Sequence, residues 1–162
     1  MRRANFAPIT EEKEVFGACR PGHLGSDLHQ WAHTLQEGGV TDVICLLSKS
    51  EAARWSLPRK YADLFGTYHL PIRDRHLPDQ TSLAATIQEM EVRTANGGKV
   101  ALHCNAGLGR TGIVGAAWLT SQYGYQPQDA VDRVIAAGRS PYQAVEADNA
   151  TEQELFNLLD SL

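Results

Sequence analysis

The segment His103-Cys104-Asn105-Ala106-Gly107-Leu108-Gly109-Arg110-Thr111-Gly112 places a thiol and a guanidinium on either side of five residues that include two glycines. A thiolate is a strong nucleophile. A planar guanidinium holds two oxygens of a phosphate at once, which an ammonium cannot copy. The short run Lys99 to His103 reads as a strand that delivers Cys104 to the carboxyl end of a sheet, where α/β proteins place their sites. A helix then begins near Arg110. Between them the backbone N–H groups of Asn105, Ala106, Gly107, Leu108, Gly109 and Arg110 can turn inward as a nest for an anion, aided by the helix N-terminus. Gly107 and Gly109 permit the positive φ angles such a ring needs. A thiol in this field has its pKa depressed, because amides and helix dipole favour the thiolate. Thr111 can donate its hydroxyl to the sulfur and help a thiolate leave from a phosphocysteine. His103 is expected to fix the loop by hydrogen bonds rather than to act as a base.

Other chemistries fit the segment less well. Gly107, Gly109 and Gly112 also spell a dinucleotide fingerprint, but its first glycine should follow the strand directly, and Gly107 lies four residues beyond His103. That motif also wants an acid about 20 residues on, at the end of a second strand. Asp129 and Asp132 fall near that distance, but inside a helical pattern. The segment lacks the lysine of a Walker loop, and zinc would need ligands the chain does not offer at ligand spacing. No metal and no cofactor is expected. A plain core cysteine would leave Arg110 without a purpose in the same loop.

Cleaving a phosphoester with a thiolate requires a proton for the departing oxygen, supplied from a separate loop. The charged stretch Arg73-Asp74-Arg75-His76-Leu77-Pro78-Asp79 offers Asp74 and Asp79. Asp74 directly follows a strand and is the preferred acid. Asp79 can cap the helix after it, a structural task. Arg73, Arg75 and His76 would draw anions to the mouth.

The elements that must position these groups alternate. Val15 to Ala18 is a short apolar run closed by Arg20-Pro21-Gly22. Ser26 is expected to cap a helix whose stripe is Leu28, Trp31, Ala32 and Leu35, ended by Gly38-Gly39. Val40 to Leu47 reads as a buried strand. Ala52 to Phe65 is helical in parts, broken by Pro58. Thr67 to Ile72 reads as a strand whose Pro71 puts it at an edge or stops it early. Helices follow from Leu83 to Ala95, from Arg110 to Tyr123, from Pro127, and around Leu155 to Leu159. There is no internal repeat. The pattern predicts one α/β domain over residues 1–162, a central, mostly parallel sheet with helices on both faces.

Composition sets the outer limits. With 162 residues, 43% hydrophobic and 21% charged, the chain is an ordinary globular one with room for a core. A formal net charge of -4 gives no support for nucleic-acid binding. Three cysteines, Cys19, Cys45 and Cys104, with no close pair, suit a reducing compartment. Met1-Arg2-Arg3 is followed by Ala4-Asn5-Phe6-Ala7-Pro8 rather than an apolar run, so no signal peptide is expected. No stretch approaches a membrane span. The expected location is the cytoplasm, with a monomer as the default.

The signature His103-Cys104, five residues, Arg110-Thr111 resembles that of the cysteine-dependent protein tyrosine phosphatase superfamily. Length and loop pattern resemble its small dual-specificity branch, and the layout is similar to the kinase-associated phosphatases of the cyclin-dependent kinase inhibitor 3 type. The shared features are Arg20-Pro21-Gly22, Pro71-Ile72-Arg73-Asp74 with Pro78-Asp79, and Gly107-Leu108-Gly109-Arg110. The resemblance implies that the first aspartate is the acid, and Asp74 lies thirty residues before Cys104. It implies a phosphorylated protein substrate, phosphotyrosine first, with phosphoserine and phosphothreonine in range. The neutral loop positions Asn105, Ala106 and Leu108 lean away from phosphoinositides, whose enzymes often carry lysine there. Nucleotides, an RNA 5′ end and a non-catalytic phosphate-binding module remain as alternatives. Arsenate reductases and low-molecular-weight phosphatases, which share the Cys-Arg spacing, place the acid after the cysteine and so differ in order. Arg139 begins a stretch that resembles the family's arginine-rich turn before a final helix, and is expected to be a structural or charge-pairing residue. Gln153 resembles a glutamine that often follows it, but the interval is longer here and it reads as a helix surface residue. A protective disulfide between Cys45 and Cys104, known in some members, is weighed against a core role for Cys45, which is preferred.

Overall fold

The apolar runs pair into one five-stranded sheet of order β1-β2-β5-β3-β4. The strands are β1 (Ala7–Pro8), β2 (Val15–Ala18), β3 (Asp42–Cys45), β4 (Gly66–His69) and β5 (Val100–His103). The computed structural model describes residues 3–162; Met1 and Arg2, the start of the segment read above for a leader, lie outside it. Strands β2, β5, β3 and β4 run parallel, and only β1 is antiparallel to its neighbour. In the central strand β5, His103 is level with Ala18 on one side and Cys45 on the other. All three strands therefore end together, and the chain leaves β5 into a concavity at the carboxyl edge.

Among the described residues, seven α-helices accompany the sheet: α1 (Leu28–Glu37), α2 (Lys49–Trp55), α3 (Gln80–Ala95), α4 (Gly109–Tyr123), α5 (Pro127–Ala136), α6 (Gln143–Glu146) and α7 (Glu152–Asp160). Strand alternation sends successive side chains to opposite faces. Val15, Ile44, Leu46, Val100 and Leu102 join a core with Leu83, Met90, Ile113, Trp118, Val131 and Leu155 from α3, α4, α5 and α7. Phe16, Ala18, Val43, Cys45 and Ala101 join a second core with Trp31 and Leu35 of α1 and with Tyr61. Helices thus cover both faces of a mostly parallel sheet, as the alternation of elements predicts. Residues Gly109 to Leu119 of α4 are all buried, so this small-residue helix is the central pillar behind the cysteine loop.

Several local expectations need correction. Asp27, not Ser26, caps α1, accepting a hydrogen bond from Gln30 N at 2.8 Å. The strand read over 40–47 is paired only from Asp42 to Cys45, and the one read over 67–72 runs from Gly66 to His69. That strand does lie at the sheet edge, with Pro71 past its end. The break at Pro58 separates α2 from a single turn of 3₁₀ helix, Arg59–Tyr61. Strand β1 and helix α6 were not read from the sequence. Two and four residues are too few to carry a periodicity.

Leu102 is fully buried at the centre of the sheet, one position before His103. Leu102→Ala is expected to cost about 3 kcal/mol of stability through lost burial and the cavity left behind. Urea unfolding measures it.

Candidate active site

Four successive carbonyl groups of the loop after β5 are each engaged from outside. Arg20 N donates to Asn105 O at 2.9 Å. The Asn5 side-chain amide donates to Ala106 O at 2.9 Å. Arg139 Nη1 donates to Gly107 O at 2.7 Å. Ser140 N and Gly112 N donate to Leu108 O at 3.1 and 3.0 Å. In a trans peptide the C=O and N–H point in opposite directions. Drawing these carbonyls outward therefore turns the N–H groups of Ala106, Gly107, Leu108 and Gly109 toward the inside of the loop. Gly107 has φ +78, and a side chain there would strike the backbone of Ala18 and Cys19. The loop can close over β2 only with glycine at this position.

Arg139 is 3% exposed and works as a buried clamp. Besides Gly107 O, it donates through Nη2 to Asn5 O at 3.0 Å, Gly17 O at 3.1 Å and Ala7 O at 3.4 Å. One guanidinium thus ties the first strands to the loop, in line with the structural role expected of it.

Cys104 lies at the base, 3% exposed, with the Thr111 hydroxyl donating to its sulfur at 3.2 Å. Arg110, also 3% exposed, is gripped by Glu51 through two bonds, Nη1 to Oε1 at 2.6 Å and Nη2 to Oε2 at 3.2 Å. Its Nη1 also donates to Ile72 O at 3.0 Å. Burial raises the Glu51 pKa, but hydrogen bonds from Arg110 and Ser48, with the Arg110 charge, outweigh it and hold the carboxyl at about 2. The pair is therefore ionised at neutral pH, and the guanidinium is fixed in one orientation.

His103 is buried and hydrogen-bonded at both nitrogens. The Tyr61 hydroxyl lies 2.7 Å from Nε2, and Nδ1 lies 3.0 Å from Cys104 O. A carbonyl can only accept, so Nδ1 carries the proton and Nε2 accepts from Tyr61. Burial pushes its pKa down to about 4, so the ring is neutral at pH 7. It underlies the loop with both ring nitrogens hydrogen-bonded.

The two candidate acids separate clearly. Asp79 caps α3, accepting from both Ser82 N and Ser82 Oγ at 2.9 Å. Asp74 has a side chain that is 60% exposed, with Oδ1 3.4 Å from Arg110 Nη2. Only Asp74 is brought to the cysteine loop. Gln153 lies on α7, where its amide donates to Asn157 at 2.7 Å. Cys45 packs in the core on the α1 face, level with His103, while Cys104 packs in the core on the opposite face. Burial raises the Cys45 pKa to about 11, and all three cysteines are free thiols.

Sequence reading missed four residues here. Glu51 carried a signal, since Ser48-x-x-Glu51 is a capping box, and the box does form. Its second use as the Arg110 partner depends on β3 and β5 lying side by side. Arg20, whose Nε donates to Asn105 Oδ1 at 2.8 Å while its guanidinium lies 3.7 Å from the Trp55 ring centroid, was read only as part of a turn. Gln143 packs its carboxamide against Gly109. With Arg75, Glu146 and Ala147 it lines a cleft of about 260 Å³ beside the Asp74 loop. Asn5 gave no signal at all.

Two outcomes follow from this geometry. Glu51→Gln keeps the shape but removes the charge that orients Arg110, and should lower kcat/KM on an aryl phosphate about tenfold. Between pH 6.5 and about 4 the unfolded chain protonates at His103 while the folded one does not. Stability should therefore fall as pH drops through that window, and His103→Asn should flatten the fall, as read by urea midpoints at several pH values.

Comparison with known proteins gives this chain its family. Residues 16–123 match the family described as polymorphic toxin system, DSP-PTPase phosphatase. Cyclin-dependent kinase inhibitor 3 of Sus scrofa is 28% identical over 120 residues, covering 70% of this chain and 56% of that protein. The chain spans about half the length of the curated cyclin-dependent kinase inhibitors it matches. Tyrosine-protein phosphatase CDC14 of Saccharomyces cerevisiae is 33% identical over 75 residues, 45% of this chain and 14% of that protein. Tk-PTP in its active form superposes with a TM-score of 0.75 over 98% of this chain and 95% of the other, at 24% identity, a likeness of fold. On that match, the chain belongs to the DSP-PTPase phosphatase family, within the dual-specificity branch of the cysteine-dependent protein tyrosine phosphatase superfamily.

Proposed function

We propose that the protein hydrolyses phosphomonoesters on proteins, phosphotyrosine first and phosphoserine or phosphothreonine second, through a phosphocysteine at Cys104. The observation that carries this reading is the meeting of three groups at one mouth. Cys104 receives a hydrogen bond from Thr111, Arg110 is locked by Glu51, and Asp74 stands 3.4 Å from Arg110 at the rim. The Cys104 thiolate attacks phosphorus as the bond to the departing oxygen breaks, and Asp74 gives that oxygen its proton. The inward N–H groups of the loop and the Arg110 side chain hold the three remaining oxygens, with most effect where charge is greatest. Water then attacks the phosphocysteine and gives its proton to Asp74. The S–P bond breaks, and the Thr111 hydroxyl supports the departing thiolate. Every step draws on side chains and loop N–H groups of this one chain together with water.

The protein substrate is supported by the names of the relatives, a cyclin-dependent kinase inhibitor and a tyrosine-protein phosphatase. It is also supported by the neutral Asn105, Ala106 and Leu108, which offer no extra cation to a polyphosphorylated headgroup. We further take residues 1–162 to act as one monomeric catalytic unit in a reducing compartment, as in the cytoplasm. The three free thiols fit that setting, and no helix among the described residues is long and apolar enough to cross a membrane.

Cys104→Ser should abolish turnover of an aryl phosphate, and unchanged turnover would refute the mechanism. Asp74→Asn should lower kcat by roughly a hundredfold and remove the fall in rate at high pH, the signature of a general acid. Asp79→Asn should leave kcat unchanged, and the reverse result would move the acid to Asp79. A panel of phosphopeptides, phosphoinositides and nucleotides should show the highest kcat/KM on phosphotyrosine peptides.

A further inference from the structure

We infer that Asn5 is a positioning residue of the phosphate loop, so that the segment before β2 is part of the catalytic apparatus rather than a covering strand. The inference rests on reading Asn105 to Arg110 as an oxyanion cradle.

The four outward carbonyls are not held alike. Asn105 O and Leu108 O accept from main-chain N–H groups, of Arg20 and of Ser140 and Gly112. Those donors exist whatever side chains stand there. Among the described residues, Ala106 O and Gly107 O are held by side chains, those of Asn5 and Arg139. Ala106 O is thus the carbonyl whose direction depends on one neutral amide, from a residue 101 positions away in the chain. If that carbonyl swings inward, the N–H of Gly107 swings outward with it. The loop then loses a donor and presents a negative dipole end to a doubly charged ligand.

Asn5 is built for the task. Its backbone is left-handed, φ 49, a conformation that asparagine tolerates better than most residues. Its own carbonyl accepts from Arg139 Nη2 at 3.0 Å, so the two side-chain anchors are bound to each other. The flanking residues fix its height: Ala4 O accepts from Cys19 N at 2.9 Å, and Phe6 stacks on Phe16 with ring centroids 4.9 Å apart. These flanking contacts hold the segment without the Asn5 amide, which leaves that amide free to be tested alone.

Two variants separate positioning from folding. Asn5→Gly accepts the positive φ and deletes the amide. Asn5→Asp keeps the shape but replaces the donor with a charged acceptor facing Ala106 O. Tungstate, a tetrahedral dianion, serves as the probe by titration calorimetry, beside kcat and KM on an aryl phosphate and the thermal midpoint. Both variants should bind tungstate about tenfold more weakly, the worth of one well-placed hydrogen bond, with Asn5→Asp the weaker of the two. Thermal midpoints should stay within a few degrees of wild type. Wild-type tungstate affinity in both variants, whatever their midpoints, would overturn the inference, as would failure of Asn5→Gly to fold, which would make the role purely structural. If the wild-type protein itself bound no tungstate, the cradle reading would fail first. If wild type binds and the variants bind equally well, only the role of Asn5 falls.

Discussion

The direction of four carbonyl groups governs this molecule's chemistry. A peptide loop left to itself presents oxygens and N–H groups to both sides, which cancels any field at its centre. Here Asn105 O, Ala106 O, Gly107 O and Leu108 O are all drawn outward by donors from the segment before β2, the turn at Arg20, and Arg139-Ser140. The N–H groups have nowhere to face but inward. The donors come from both ends of the sequence, and only the parallel sheet, with β5 between β2 and β3, brings them to one place. Much of the fold thus serves to orient a loop of six residues.

A second balance lies in charge. Arg110 is buried, and a lone buried guanidinium would be expensive. Glu51 offsets that cost from a helix that needs the same carboxylate for its own capping box. The capping role and the pairing role restrain the side chain from two directions, so Arg110 is oriented before any ligand arrives. Asp74, by contrast, is left at an exposed rim beside Arg110. Below the loop His103 is neutral and locked between Tyr61 and Cys104 O. Groups that orient are buried and fixed, and the group proposed as the acid is accessible.

The chemistry was legible in the sequence because it sits in one contiguous stretch. Cys104, Arg110 and Thr111 lie within eight residues, and residue type and spacing together exclude the rival motifs. Asp74 was legible as one of two aspartates, since a loop after a strand is where an acid must stand. The sheet and its two helical faces followed from the alternation of apolar runs. What stayed hidden is what the tertiary fold assembles. Asn5 is 101 residues from its partner and Glu51 is 59 from Arg110, and neither carries a local pattern that names the contact. The cap falls on Asp27 rather than the expected Ser26 because neighbouring capping types are interchangeable in sequence. Helix α6 is too short to show a period, so Gln143 and its cleft beside Gly109 went unread.

The family match covers residues 16–123, which includes the cysteine loop, Asp74 and Glu51 but not Asn5 or Arg139. Cys104 and Asp74 thus lie inside the matched stretch, while two of the anchors that shape the loop lie outside it. The most direct measurement is mass spectrometry of the protein quenched in acid during turnover of an aryl phosphate, with peptide mapping of the adduct. The expected result is a phosphoryl group on the sulfur of Cys104. Turnover with the phosphoryl group on another residue, or with no covalent adduct at any stage of the reaction, would contradict the account.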